Sequence, residues 1–390
     1  MEPVSLELPD RVSSIRSARV RHHLTTPIQY GNWVMTHRDF VLVRVDIGGT
    51  LSGFAYGLTR DGPVSEIVQA TVGPAYLRQA ARDPKTLFEQ ALWTNHAVHA
   101  AGIGMRALSL VDIATWDALA RHHAVSLTRL LGGQPTRMPV TAIVGYPNDT
   151  SPSEVREQVG NLLSSGWRRF KLPIAPDLDA TEARLRAARS AAPDAWIGLD
   201  INMALHSASS VCAFEERVRD LQLGWLEDVV PPGSADLVRS IRSASVTPIA
   251  MGDEQGGSYH PEALLAASAI DVLRVDATTN GGVSRMPSIL EQARRAGVAI
   301  APHMFPHVHS RLLPGIGAVG VPIEWGLPGT GVHPWDDFLE QPQVEDGLML
   351  PLEDSPGLGR LVNLEWLADQ EVHDPDGVLT ALPPDVLVPT

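Results

Sequence analysis

Three carboxylates recur in this 390-residue chain at nearly constant spacing, each where a short apolar run gives out. They are Asp200 after Ile197-Gly198-Leu199, Glu227 after Gly224-Trp225-Leu226, and Asp253 after Ile249-Ala250-Met251-Gly252. Asp200 to Glu227 is 27 residues, and Glu227 to Asp253 is 26. Asp276 follows 23 residues later and His303 another 27 beyond it. A (β/α)8 barrel takes about 250 residues, roughly 30 per repeat, and keeps its reactive groups at the C-terminal ends of its strands. One acid per repeat, each at a strand end, is how such a barrel converges carboxylates on one divalent cation. Hard oxygen ligands with positions left open for substrate oxygens point to Mg²⁺.

Read in order, strands alternate with helices only from about residue 136. Val140–Val144, Phe170–Leu172, the three carboxylate strands, Asp271–Val275, Val298–Ala301 and Val321–Glu324 make eight strands, the number at which a parallel sheet closes on itself. Ser151-Pro152-Ser153-Glu154 opens one of the helices as a capping box with proline at its first position. Upstream the order differs. The apolar run Phe40–Asp46 ends in a Gly48-Gly49 turn, after a polar and aromatic stretch, Thr25 to Arg38, that reads as a loop. Helical patterns follow over Pro84–Ala100 and Met105–His122, and Leu130-Leu131-Gly132-Gly133 stops them. The expected architecture is α/β: a modified (β/α)8 TIM-type barrel over 136–330, with an N-terminal α+β capping domain over 1–135. The segment 331–390, including Gly347–Pro351, is expected to return over the capping domain.

Apolar residues make up 44% of the chain and charged residues 19%, which suits a globular protein with a large core. A net charge of −14 argues against nucleic acid or an anionic membrane as partner. The single cysteine, Cys212, allows no intrachain disulfide; residues 1–19 lack an apolar h-region and no run reaches membrane length, so neither a signal peptide nor a membrane span is expected. A cytoplasmic protein acting on a small-molecule carboxylate is expected.

In this arrangement the chain resembles the enolase superfamily, specifically its mandelate racemase/muconate lactonizing enzyme branch. The residues that carry the resemblance span most of the chain: Leu130–Gly133, Asp200 with Asn202, Glu227-Asp228, Gly252-Asp253-Glu254, Asp276 with Gly281-Gly282, Pro302-His303, and Pro356–Gly359. The resemblance implies a capping domain over the barrel mouth, Mg²⁺ on Asp200, Glu227 and Asp253, and removal of a proton α to a carboxylate. It implies a homo-oligomer as well, and an Asp276–His303 dyad in which the carboxylate orients the imidazole. It further implies substrate contacts from Asn202, from a protonated Glu324, and from Tyr30 and Trp33 in the capping loop.

One departure bears on the reaction. Where the family carries Lys-x-Lys, with the second lysine as a base, this chain has Lys171-Leu172-Pro173. A racemase needs a proton-transfer group on both faces of its substrate; a β-elimination can run on one histidine. The favoured reading is therefore a hydro-lyase on an acid sugar or hydroxy acid, with His303, Asp276 and Lys171 catalytic. The alternatives are a racemase, epimerase or cycloisomerase on the same scaffold, and a ligand-binding relative without catalysis. Lys85 and Lys171 are the only lysines among 31 basic residues, which suggests that position 171 needs what arginine cannot give.

Other polar residues invite plainer roles. Asn202 and Asp228 read as neighbours of the metal ligands or as helix caps, and Glu254 as a residue that tunes the neighbouring ligand or pairs with Lys171 or a similar cation. His307 and His309 read as structural. His333 and Trp335 sit in a Gly/Pro-rich loop that could line the pocket. Gly281-Gly282 reads as turn geometry rather than a phosphate cradle.

Overall fold

A computed structural model describes residues 5–30, 33–257, 259–327, 339–340, 342–351, 355–380 and 382–388, with only the backbone given for Tyr30 and Trp33. His333, Trp335 and the side chains of Tyr30 and Trp33 thus lie outside the described residues.

The N-terminal domain is an antiparallel sheet of β1 (Val12–Tyr30), β2 (Trp33–Ile47) and β3 (Leu51–Leu58), backed by the long helix Gly102–His122. The stretch expected as a loop, Thr25 to Arg38, lies instead within β1 and β2 on either side of residues 31–32, paired from Ile28 with Met35 to Tyr30 with Trp33. A register shift between His23 and Ile28 lets the ribbon bend there, so Thr25, Thr26 and Gln29 are exposed while Ile28 and Met35 stay buried. The helical pattern over Pro84–Ala100 breaks at Asn95 into Pro84–Thr94 and His96–His99, because Asn95 leaves the helical region at φ −145°.

Eight parallel strands form the barrel: β4 (Met138–Ile143), β5 (Arg169–Pro173), β6 (Trp196–Asp200), β7 (Trp225–Glu227), β8 (Ile249–Met251), β9 (Val272–Val275), β10 (Ala299–Pro302) and β11 (Ile323–Gly326). Each neighbouring pair from β4 to β10 is laddered in parallel, and β11 pairs with β4. The last strand lies two residues later than its pattern suggests, since Val321-Pro322 leads into it rather than forming it. The capping box is present: the Glu154 amide donates to Ser151 Oγ at 3.3 Å, and Glu154 Oε2 accepts from the Ser151 amide at 2.9 Å.

The chain beyond the barrel divides. A small hairpin, β12 (Val344–Glu345) and β13 (Leu348–Met349), pairs with Met138 and Pro139 of β4, so Gly347–Pro351 covers the barrel and not the capping domain. Its apolar Met349 is buried there against the strand's first residues. The later tail does return to the cap. Leu358 donates its amide to Asp117 Oδ1 at 2.6 Å, and β14 (Glu371–His373) adds an edge strand to β1. No helix among the described residues is long and apolar enough to cross a membrane.

The two domains meet at a helix end. The helix Gly282–Arg295 begins against Asp112 of the cap, which accepts from the Ser284 amide (2.9 Å) and hydroxyl (2.6 Å), while Ser109 Oγ accepts from the Gly281 amide. A cap carboxylate thus occupies the anion-favouring N-terminus, which explains the glycine pair without a phosphate. Gly282 has φ +65°, and a Cβ there would stand 2.2 Å from Asp112 Oδ2. Gly282→Ala is expected to destabilise the protein by about 2–4 kcal/mol through strain plus the displaced carboxylate. A urea titration would show it as a lowered midpoint, and a loss below half a kcal/mol would contradict the packing described.

Candidate active site

The barrel register sets Pro173, Asp200 and Glu227 in one row across three adjacent strands, at their C-terminal ends. The backbone then turns sharply. Asn202 and Met203 (φ 49° and 60°), Asp228 (φ 47°), and Met304 and Phe305 (φ 44° and 47°) are all left-handed, and Gly252 stands at φ +146°. Left-handed non-glycine residues cost of order 1–3 kcal/mol each and persist where the surroundings fix them. Here they re-aim the chain just after Asp200, Glu227 and His303 and just before Asp253.

The pocket at this end is lined by Lys171, Pro173, Asp200, Asn202, Glu227, Asp228, Glu254, His303 and Glu324 from the barrel. The cap contributes Arg38, Leu58 and Arg60. Lys171 is 3% exposed; its Nζ lies 3.0 Å from Glu227 Oε1, 2.8 Å from Glu324 Oε2 and 3.2 Å from Asp200 Oδ2. Burial disfavours the ammonium, but these three carboxylates outweigh it and hold Lys171 firmly protonated. Arg274, which sequence reasoning missed, reaches into the same interior. Its Nε donates to Glu227 Oε1 at 3.0 Å, its Nη1 to the Pro302 carbonyl at 2.9 Å, and its Nη2 pairs with Glu324.

Several carboxylate oxygens in this interior lack donors. Glu227 Oε2, Asp228 Oδ1 and Asp253 Oδ1 are buried without a hydrogen-bond partner. Burial pushes Glu227 up to about 8 and Asp253 up to about 6, and lifts Asp228 well above the carboxylate range with Asp253 and Asp200 beside it. Partnerless buried oxygens among crowded acids are a poor protein interior and a good fit to a hard cation. The grouping differs from the expected trio. Asp200, Glu227 and Asp228 bring one oxygen each within 4.8 Å of one another, whereas Asp253 groups with Glu254 and His303. His303 Nδ1 at 3.4 Å from Asp253 Oδ2 accounts for that pull.

The expected dyad is assembled. His303 Nδ1 lies 3.0 Å from Asp276 Oδ2, and Asp276 Oδ1 accepts from both the amide (2.7 Å) and hydroxyl (2.8 Å) of Thr278. Burial, with Arg274, Arg60 and Lys171 nearby, holds His303 well below its ordinary pKa, so the imidazole is neutral. Burial pushes Asp276 up to about 7, against the two Thr278 hydrogen bonds. The loop is tied further by Thr279 Oγ1, which donates to the Asp253 carbonyl at 2.8 Å.

Glu254, beside Asp253, pairs with cations other than Lys171: the cap arginines Arg60 and Arg106, the latter at 3.2 Å from Oε2. The expectation for Glu324 is corrected. Glu324 is not a protonated donor: burial raises it, yet Arg274 and Lys171 prevail and keep it ionised. Asn202 lines the pocket and folds back on Asp200, its amide N–H donating to Oδ1 at 2.9 Å. His309 is structural, since Nδ1 donates to the Met304 carbonyl and Nε2 accepts from the Ala277 amide. His307 is likewise held, between Tyr56 and the Glu340 carbonyl.

Comparison with known proteins agrees with this layout. The family described as enolase C-terminal domain-like matches residues 154–366, and the mandelate racemase/muconate lactonizing enzyme N-terminal domain matches residues 14–132. A D-galactarolactone cycloisomerase of Agrobacterium fabrum is 25% identical over 94% of this chain and 100% of its own length. An L-talarate/galactarate dehydratase of Salmonella typhimurium is 25% identical over 90% of this chain and 89% of its own. Among solved structures, a Bradyrhizobium enolase complexed with magnesium and mandelic acid superposes with a TM-score of 0.81 at 22% identity, covering 93% of this chain and 98% of that one. That last likeness is one of fold.

Proposed function

Since the chain belongs to the mandelate racemase/muconate lactonizing enzyme branch of the enolase superfamily, we propose that it is a hydro-lyase acting on an acid-sugar type hydroxy acid. The observation that carries this reading is the asymmetry of the pocket. His303, backed by Asp276 at 3.0 Å, faces it from one side, and Pro173, with no proton to exchange, stands in the row beside Asp200 on the other.

With Nδ1 engaged by Asp276, Nε2 of the neutral His303 takes the α-proton of the substrate. The electron pair left on Cα forms the Cα–Cβ double bond as the Cβ–O bond breaks. The proton on His303 passes to the departing hydroxyl, which leaves as water, and the enol product tautomerises to a 2-keto-3-deoxy acid. Lys171, held protonated, neutralises charge that builds on the substrate carboxylate. Mg²⁺, on ligands drawn from Asp200, Glu227, Asp228 and Asp253, would supply the larger share of that neutralisation. The Agrobacterium relative, a cycloisomerase by name and matched along its whole length, favours isomerisation of a carboxylic acid as the second reading.

The test is ¹H NMR in D₂O with Mg²⁺ over a panel of aldonic, aldaric and hydroxyproline-type acids. A 2-keto-3-deoxy product that disappears with chelator is the expected result. Deuterium at Cα with no water lost would shift the assignment to an isomerase, and no exchange with any acid would remove the reaction proposed.

A further inference from the structure

The end of β1 rests on the barrel through one side chain. Gln29 is paired with Val34 across the β1–β2 ribbon, and its backbone also meets Asn148, which follows β4 and is 1% exposed. The Gln29 amide donates to Asn148 Oδ1 at 3.3 Å, and Asn148 Nδ2 donates to the Gln29 carbonyl. A second bond from Nδ2 goes to the Ile174 carbonyl, just past β5, at 3.0 Å. A carboxamide has two N–H donors and one carbonyl, so both donors are engaged and the side chain holds Gln29 as a neighbouring strand would. These bonds reach 119 and 26 positions along the chain. They join separate elements; the local turn is tied without them, by the Thr150 amide donating to the Pro147 carbonyl.

Asn148 is itself fixed from behind. Arg184, buried on the helix Leu178–Ala191, donates from Nη1 to the Asn148 carbonyl at 2.7 Å and to the Pro173 carbonyl at 3.4 Å. Its Nη2 holds the Gly145 carbonyl, and a Cβ on Gly145 would stand 2.3 Å from that nitrogen. The same unit borders the reacting groups. Tyr146 and Pro173 line the pocket, and the Ile174 amide donates to the Asp200 carbonyl at 2.8 Å. A hydrogen-bonded chain thus runs from Gln29 of the cap through Asn148 and Ile174 to the backbone of Asp200.

We propose that Asn148 is a positioning residue for the reaction: it seats the end of β1 on the Pro173 side of the barrel mouth and encloses the substrate there. The consequence for catalysis rests on the reaction proposed above; the seat itself does not. Pro173 offers no proton, so what this side contributes is exclusion of water. Water admitted there would weaken the interaction of Lys171 and the cation with charge building on the substrate.

Hydrogen–deuterium exchange of the Mg²⁺-loaded full chain, read on peptides covering 24–30, would compare wild type with Asn148→Ala and Asn148→Asp. Each variant is expected to lose protection there by about 10- to 100-fold, the effect of losing two or so hydrogen bonds, with barrel peptides unchanged. Asn148→Asp is the sharper variant, since it keeps the shape and puts oxygen where both donors were. On any acid of the panel above that wild type turns over, KM should rise about tenfold or more while kcat falls by less than about threefold. Mg²⁺ binding by calorimetry should stay within about twofold of wild type, as the acids are untouched. A residue that only stabilised its own loop would lower the melting temperature and leave KM alone. Wild-type protection of 24–30 retained in either variant overturns the seat. So does exchange of 24–30 at the free-chain rate in wild type, whatever the variants do. Lost protection with KM unchanged overturns the positioning role. Failure of wild type to turn over any acid removes that role together with the hydro-lyase, and exchange then decides the seat by itself.

Discussion

Replacing His303 with asparagine is expected to lower kcat by about 10³- to 10⁴-fold, the upper range for loss of a positioned general base. Asparagine keeps an amide N–H that can reach Asp276 Oδ2, where His303 Nδ1 now stands at 3.0 Å, so the hydrogen-bonded loop around Thr278 should survive. It cannot accept a proton. Pro173, which also lines the pocket, has no proton to exchange and cannot take over, which is why the loss should be near complete rather than partial. Substrate binding should change much less than kcat, and Cα deuterium exchange should vanish together with dehydration. Retention of more than a tenth of wild-type exchange would mean that another group, Lys171 foremost, is the base.

Lys171→Met should be damaging in a different way. Methionine matches the length of the side chain but removes the cation within 3.2 Å of Asp200, Glu227 and Glu324, all in the barrel interior. Breaking a buried ion pair from one side typically costs about 3–5 kcal/mol, because charge is left without a partner. In chelator, where no divalent ion offsets it, the variant should lose stability in that range by urea titration. Adding Glu324→Gln should recover part of the loss, since one of the stranded acids then disappears, a coupling read directly from the double-mutant cycle. If the two changes simply add, the three acids are not competing for Lys171 and the network drawn here is wrong. Activity should fall in the single variant even when Mg²⁺ restores its stability, as the ammonium also faces the substrate's reacting end.

Much of this was readable before any coordinates. Asp200, Glu227, Asp253, Asp276 and His303 announce themselves because a barrel repeats its strand ends at a fixed chain distance, and a charge ending an apolar run marks each one. Arg274 is harder. It sits inside a strand of four, Val272–Val275, but two residues before Asp276, and side chains two apart share a face. An arginine amid apolar neighbours on the inward face was the available signal. Nothing local foretells that Glu254 meets Arg60 and Arg106, since those contacts span 194 and 148 residues and depend on how the cap sits on the barrel. The hairpin end at Thr25 to Arg38 reads as a loop because a ribbon with both faces partly wet loses the alternation that betrays a strand. The split of the expected metal trio depends on side-chain rotamers, which spacing along a chain does not encode.

The edge strand β14 has a bearing on how this molecule comes into being. Val20 pairs with Val372, 352 positions along the chain, so the cap's sheet joins strands from before and after the barrel, with the whole barrel strung between them. Closing so long a loop costs little more than closing one of half its length, but pairing so distant in sequence forms slowly. During synthesis the barrel strands all leave the ribosome before residues 371–373 exist, and the roof over the mouth is finished last. Removing the tail should therefore loosen the roof before it touches the barrel, leaving a protein that keeps its acids in place and loses its grip on what they act upon.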